Sequence, residues 1–306
     1  MNWLTDYVKP KLSSLIAKKD TPSDLWTNCN KCNLMLYKSE HENNLFVCSH
    51  CDNHMNMNVV KRLNNFFDNK TYELINIPFE NNDPLKFKDL KKYSDRMKAA
   101  QKKTDQKDAA IVAKGKIGNI EAVVFILDFN FMGGSMGQFV GEAFKIACEK
   151  SVELKCPFIS VASSGGARMQ EGIVSLMQLP KTVAAVNMLD QHKIPYISVL
   201  THPTTGGVSA SFAMLGDITI AEKGATIGFA GKRVIQATVK EELTPDFQTA
   251  EFVEKHGFVD KVLNRKDLTN EIGKLLEILL KKNSEVNSED LNETSDNLKT
   301  LTKAAS

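Results

Sequence analysis

Apolar and polar positions alternate in two periods along this chain, and the change of period divides it. From Ala110 onward the pattern is α/β. Ile111–Ile117 and Ala122–Phe129 predict two neighbouring strands joined at Gly118-Asn119, a dipeptide suited to a tight hairpin turn. A loop, Phe131–Gly137, leads into a helix predicted over Gln138–Leu154. Pro157–Ala162 then reads as a buried strand, and Ile173–His192 as the helix that returns from it. The apolar run Ile194–Leu200, broken by Pro195 and Ser198, is the next buried strand. Each of these last two strands ends in a glycine pair, Gly165-Gly166 and Gly206-Gly207, where a helix is expected to begin. Successive strand–helix passes of this kind put both pairs on one side of a sheet, the side on which open α/β folds bind ligands.

The flanking segments are less regular. Met1–Asp20 spaces Trp3, Leu4, Tyr7, Val8, Leu12, Leu15 and Ile16 as a short amphipathic segment interrupted near Pro10. Val59, Val60, Leu63, Phe66 and Phe67 predict a helix ending near Asp68-Asn69. Leu74–Pro78 and the Asn81–Pro84 turn read as a connector. Between Lys86 and Lys107 nine Lys/Arg face three Asp/Glu. That is the pattern of a solvated helix or, alternatively, of cations that meet a phosphate-bearing ligand or an acidic partner. Leu268–Leu280 predicts a closing helix, and Ser284–Ser306 has the composition of a disordered tail. The expected organisation is an amphipathic segment 1–24, a metal-binding ribbon 25–56, a helical connector 57–109, an α/β domain 110–283 and a polar tail 284–306.

Composition narrows the function classes. A net charge of +2 over 306 residues gives no global reason to expect nucleic acid or an acidic membrane as partner. No apolar run reaches the ~20 residues of a membrane span. The N-terminus lacks the basic region, apolar core and cleavage site of a signal peptide. Six cysteines are few for a disulfide scaffold, and four of them cluster. A reducing, cytoplasmic setting is expected.

Those four form the strongest local motif. Cys29-Asn30-Lys31-Cys32 and Cys48-Ser49-His50-Cys51 are two C-x2-C knuckles, which supply four thiolates for a tetrahedral Zn2+. Leu34–Tyr37 and Leu45–Val47 are expected as the hairpin strands that join them. Four cysteines leave no open coordination position, so the ion is expected to be structural. His50 is an alternative ligand. Zinc ribbons also bind nucleic acid, but residues 1–70 carry nine Lys/Arg against seven Asp/Glu, a weak footprint for that role.

The glycine corners carry the candidate chemistry. Glycine removes the side chains that would block a ligand, and unpaired N–H groups at a helix start favour an anion, including a transient enolate. A lone glycine pair also serves as a plain tight turn. No Ser-His-Asp set or Cys-His pair stands near the corners, which argues against a covalent acyl-enzyme.

Taken together, Ser163–Glu171, Pro203–Ala213 and Gly228–Ile235 closely resemble the carboxyltransferase β subunit of bacterial acetyl-CoA carboxylase, and the cysteine knuckles stand where that family has them. The resemblance covers roughly residues 25 to 265. It implies an α/β fold of crotonase type, a ββα superhelix preceded by a small N-terminal zinc ribbon, rather than an open doubly wound sheet. It implies transfer of a carboxyl group from carboxybiotin, on the biotin carboxyl carrier protein, to acetyl-CoA, giving malonyl-CoA for fatty-acid synthesis. Gly206 and Gly207 are then expected at the oxyanion site for the biotin ureido oxygen, and Gly165 and Gly166 shape the acyl-CoA pocket. Arg168 either meets a CoA phosphate or pairs with Glu171. The family's catalytic unit uses two crotonase-type domains, and the residues after Leu263 leave no room for a second. A separate α subunit is therefore expected, in an α2β2 assembly, with biotin carboxylase as a further partner. Competing readings are another crotonase-type enzyme, such as an enoyl-CoA hydratase with Glu171 as its acid, and a zinc-ribbon nucleic-acid-binding protein.

Overall fold

The computed structural model describes residues 25–79, 83, 85–239 and 242–280. The expected amphipathic segment 1–24 and polar tail 284–306 lie outside them. The chain divides into two compact units, Met1–Met57 and Asn58–Ser306.

In the first unit, β1 (Trp26–Asn28) pairs antiparallel with β2 (Met35–Tyr37), Thr27 opposite Leu36. The short helix α1 (Lys38–Asn43) follows. The expected second hairpin strand at Leu45–Val47 is not formed. Leu45 and Phe46 sit at φ 55° and 59°, outside the extended region a strand needs, and only Val47 makes a β-bridge, to His54. Leu36 packs with Cys29 and Cys48 in a small core of its own.

The second unit is built on one sheet. Its elements are α2 (Val59–Phe66), β3 (Tyr72–Leu74), α3 (Tyr93–Thr104), β4 (Ala110–Ile117), β5 (Ile120–Leu127), α4 (Gln138–Leu154), β6 (Phe158–Ser164), α5 (Ile173–Leu176) and α6 (Gln178–Gln191). There follow β7 (Tyr196–Thr205), α7 (Gly206–Ser209), β8 (Ile218–Glu222), β9 (Ile227–Gly228), α8 (Lys232–Val239), α9 (Ala250–Lys255), β10 (Lys261–Leu263) and α10 (Arg265–Leu279). Strand order is β10-β8-β7-β6-β5-β4-β3, with β9 added parallel to the end of β7. Strands β3, β4 and β5 are antiparallel neighbours, and the pairs from β5 through β10 are parallel. Part of the segment read as connector therefore belongs to the sheet, because Tyr72–Leu74 pairs with Ala113–Gly115.

Side-chain alternation explains why both faces of this sheet are covered. Val123, Phe125 and Leu127 of β5 point into the core shared with α4, whereas Ala122, Val124 and Ile126 point into the core shared with α2 and α10. On the first face Phe125, Phe144, Phe158, Tyr196 and Phe212 form an aromatic cluster with centroid separations between 4.4 and 6.5 Å. The β4–β5 turn has φ of 58° at Gly118 and 65° at Asn119, the mirror-image turn that matches strand twist. Asp68 accepts both turn N–H groups, at 3.1 and 2.7 Å. Among the described residues no helix is long and apolar enough to cross a membrane.

Candidate active site

Parallel pairing of β6 and β7 sets the two glycine corners side by side. The register runs from Phe158 opposite Tyr196 to Ala162 opposite Leu200, then jumps to Ser164 opposite Thr204. Strand β7 thus carries two extra residues at this irregularity. The Thr201 and Thr204 hydroxyls close it by donating to the Ala162 carbonyl, at 2.9 and 3.1 Å. The result is contact between corners: a Cβ on Gly206 would lie 3.0 Å from Gly166 Cα, and one on Gly166 would lie 3.1 Å from Gly206 Cα. Both have positive φ, 63° and 115°. Here glycine is needed for conformation and for space at once.

The four glycine N–H groups differ in what they have left to offer. Gly165 donates to Gly133 O at 2.9 Å and Gly166 to Ser164 Oγ at 3.0 Å. Gly206 donates to Phe229 O at 2.9 Å. The Gly207 N–H has no acceptor among the described residues, and Gly207 is half-buried. The Ala167 N–H, likewise without one, lies 3.5 Å from where a Gly207 Cβ would stand. So Gly206 supplies the bend, and Gly207 and Ala167 have N–H groups left to give. The helix expected after Gly207 is one turn long, because the Ser209 and Ser211 hydroxyls donate to the Gly206 and Gly207 carbonyls, at 2.9 and 2.7 Å. With so short a helix the macrodipole adds little, and what the corner offers is its individual N–H groups.

Arg168 is not at the surface. Its side chain is fully buried, and its guanidinium makes a two-pronged pair with Asp108 at 2.5 and 2.8 Å. It also donates to Ser135 Oγ at 3.0 Å, Ser135 O at 2.8 Å and Tyr93 Oη at 3.1 Å. Glu171, three residues on, lies 3.6 Å away. Burial alone would lower the guanidinium pKa, but the Asp108 carboxylate more than offsets this and holds it above its ordinary value. With no exposed surface this group does not reach a CoA phosphate. Its place is to fix the corner loop against Ser135 and α3.

Glu171 is equally committed. It is fully buried, accepts from Tyr93 Oη at 2.6 Å, and accepts from the Gln138 N–H at 2.7 Å. Gly137 precedes α4 without a side chain to cap it, and a Cβ there would lie 2.4 Å from Glu171 Oε1. Glu171 therefore caps α4 from another part of the chain. An acid so engaged has no part in hydrating a double bond. Burial raises the Tyr93 hydroxyl above its usual range, and the Glu171 carboxylate adds to this.

Beside Gly165 opens a groove of about 960 Å³ lined by Lys91, Arg96, Phe129, Met132, Ala167 and Gln170 among others. Two cations of the basic 86–107 stretch thus face it, and α3 buries Tyr93, Met97 and Ala100 on its other side. Apolar side chains stand exposed just past the Gly165-Gly166 corner: Met169, Ile173, Leu176 and Met177.

In the first unit the four cysteines converge as their spacing predicts. Cys29 and Cys51 Sγ are 3.6 Å apart, Cys32 and Cys48 Sγ are 3.8 Å apart, and all four lie within 4.8 Å of one another. A tetrahedron with Zn–S bonds of about 2.3 Å has edges of about 3.8 Å. No disulfide joins them. Burial raises the Cys29 thiol, but N–H groups of Cys32 and Lys31 and the adjacent thiols bring it down to about 6. Burial and the thiols of Cys32, Cys29 and Cys48 push Cys51 up to about 12, although the Asn53 N–H lowers it. Four thiols so close could hold a metal ion.

Reading the sequence missed Asp108, Tyr93, Ser135, Ala167 and the Phe229 carbonyl. Asp108 and Tyr93 lie 60 and 75 positions from Arg168, and no local signal marks them.

Comparison with known proteins agrees with this geometry. A family model described as carboxyl transferase domain matches residues 76–304. The acetyl-coenzyme A carboxylase carboxyl transferase subunit beta of Jannaschia sp. is 49% identical over 92% of this chain and 88% of its own length. The protein of that name from Sinorhizobium fredii is 47% identical over 92% and 93%. Among solved structures, the transcarboxylase 12S hexamer core with hydrolysed methylmalonyl-coenzyme A bound superposes with a TM-score of 0.59 at 26% identity. It covers 71% of this chain, which spans 40% of that larger one. The Pseudomonas malonate decarboxylase MdcD–MdcE heterodimer shares the fold, with a TM-score of 0.56 at 20% identity over 72% of this chain and 86% of that one. The fold is accordingly of the crotonase-like carboxyltransferase type, and the chain belongs to the family of acetyl-CoA carboxylase carboxyl transferase β subunits.

Proposed function

We propose that this chain supplies the glycine-corner half of an active site in which a carboxyl group passes from carboxybiotin, presented by a biotin carboxyl carrier protein, to acetyl-CoA. The observation that carries this reading is the pairing of two glycine corners, one beside an open groove, the other with an uncommitted N–H at Gly207. Carboxyl transfer needs positioning, exclusion of water and donors for oxyanions, without a nucleophilic side chain. The Gly207 N–H, with that of Ala167 close by, serves as such a donor, worth ~10²–10³ in rate. Gly165 keeps its end of the groove free of a side chain, and Lys91 at its wall, next to an Arg96 that is held by Asp89 at 2.6 and 2.7 Å, suits the phosphates of a CoA thioester. Exposed Met169, Ile173, Leu176 and Met177 beside the corner fit burial against an α subunit, which completes the site in an α2β2 assembly. Biotin carboxylase would recharge the carrier. The test is carboxyl transfer from malonyl-CoA to biocytin. The chain alone is expected to give no measurable transfer, and transfer by the chain alone would contradict a shared site.

The four cysteines hold a structural Zn2+ on this reading, since their separations match a closed tetrahedral site. Metal analysis is expected to give one zinc per chain, and Cys32→Ala to lose it. Retention of a full equivalent by Cys32→Ala would contradict the assignment. A nucleic-acid role gains no support: residues 25–57 hold two lysines against three acidic residues.

A further inference from the structure

We infer that Gln248 is a positioning residue for the oxyanion corner, acting through the Gly228–Gly231 loop. The inference deepens the carboxyl-transfer reading above and rests on it for its catalytic consequence.

The corner is held from outside its own segment. The Gly206 N–H donates to Phe229 O at 2.9 Å, and Thr205 pairs with Gly228 where β7 meets β9. The Ser209 hydroxyl lies 2.9 Å from both Gly206 O and Gly228 O. The loop therefore holds the Thr205–Gly206 peptide through Phe229 O and, through the Ser209 hydroxyl shared by Gly228 O and Gly206 O, the Gly206–Gly207 peptide that carries the Gly207 N–H. Gln248 in turn holds the loop. Its Nε2 donates to Ala230 O at 2.7 Å, and its own carbonyl accepts the Ile227 N–H at 2.8 Å. One residue thus grips both ends of the loop.

Two features set Gln248 apart from a packing residue. It is 6% exposed, yet its Oε1 has no hydrogen-bond partner among the described residues, a desolvation cost that a methionine of the same length would not incur. It also adopts φ 61°, uncommon for a side chain other than glycine, asparagine or aspartate. The loop in turn makes room for it. A Cβ on Gly228 would lie 2.3 Å from Gln248 Nε2, 2.6 Å from Cδ and 3.0 Å from Cγ. Gly228 has no left-handed backbone to explain a glycine; the space taken by the Gln248 side chain does.

The arrangement is open to attack from either side. Gln248→Met removes the donor at constant length. Gly228→Ala pushes the same amide away from its acceptor. In the complex with the α subunit, each is expected to lower kcat for malonyl-CoA-dependent biocytin carboxylation about 10- to 100-fold, the loss that follows misplacement of a catalytic group by about 1 Å. KM for malonyl-CoA should stay within about two-fold, because the groove beside Gly165 is untouched. Gly228→Ala combined with Gln248→Ala should be no slower than Gln248→Ala alone, since both remove one bond. Hydrogen exchange in the assembled complex supplies a readout independent of activity: the Gly206 amide should exchange at least about ten-fold faster in Gln248→Met. Unchanged exchange at Gly206, wild-type kcat in both single variants, or failure of both to assemble would overturn the inference. If the unmodified complex transfers no carboxyl group but Gly206 exchange still rises in Gln248→Met, the positional coupling stands and the functional reading falls.

Discussion

Gly206→Ala is expected to lower carboxyl transfer by the assembled enzyme about 10²-fold or more, with the subunit still folded. Two costs arise at one atom. Alanine at φ 63° is strained by roughly 1–2 kcal/mol. Its Cβ would also stand 3.0 Å from Gly166 Cα and 3.2 Å from Gly165 O, backbone atoms that cannot rotate aside. Relief requires the corners to separate, which turns the Gly207 N–H away from the oxyanion and narrows the space beside Gly165. Loss of one such donor accounts for ~10²–10³ in rate. The measurement is kcat and KM for biocytin carboxylation, with assembly checked by size-exclusion chromatography. A Gly206→Ala enzyme within three-fold of wild type would show that the contact between corners has no bearing on the chemistry.

The second large effect is on stability. Arg168→Met is expected to destabilise the chain by about 3–5 kcal/mol, because it leaves Asp108 fully buried without its cation. Asp108→Asn should fall in the same range for the opposite reason. The two together should cost less than the sum of the singles, since the double variant leaves neither Asp108 nor Arg168 without its partner, although Glu171 still loses its cation. Urea denaturation of the purified chain reads this directly. If Arg168→Met were as stable as wild type and raised KM for malonyl-CoA instead, Arg168 would be a phosphate contact after all.

These two predictions draw on different amounts of sequence information. The glycine pairs, the Gln138–Leu154 helix and the four cysteines were legible because each is specified within a few residues: by turn chemistry, by helical periodicity, by knuckle spacing. Strand β7 was placed from its apolar run, though it extends through Thr205, where Thr201 and Thr204 bond across to β6. The hairpin expected at Leu45–Val47 failed because apolar content does not reveal a positive φ. Arg168 was ambiguous for a more general reason. It does pair with its nearest acidic neighbour in sequence, Glu171, at 3.6 Å, but its two-pronged partner, Asp108, is brought in by β4. Likewise nothing near Gly206 announces that its N–H is taken by Phe229 O. Local patterns specify elements and corners. Which donor remains uncommitted at a corner is decided by what tertiary packing brings opposite it.

The most direct measurement is a titration: the rate of malonyl-CoA-dependent biocytin carboxylation by a fixed amount of this zinc-loaded chain, as purified α subunit is added. No rate is expected without α, then a linear rise and a break at one α per β, with no hydration of crotonyl-CoA in the same mixture. Transfer absent at every ratio despite a formed complex, or rapid crotonyl-CoA hydration in its place, would contradict the proposed carboxyl transfer.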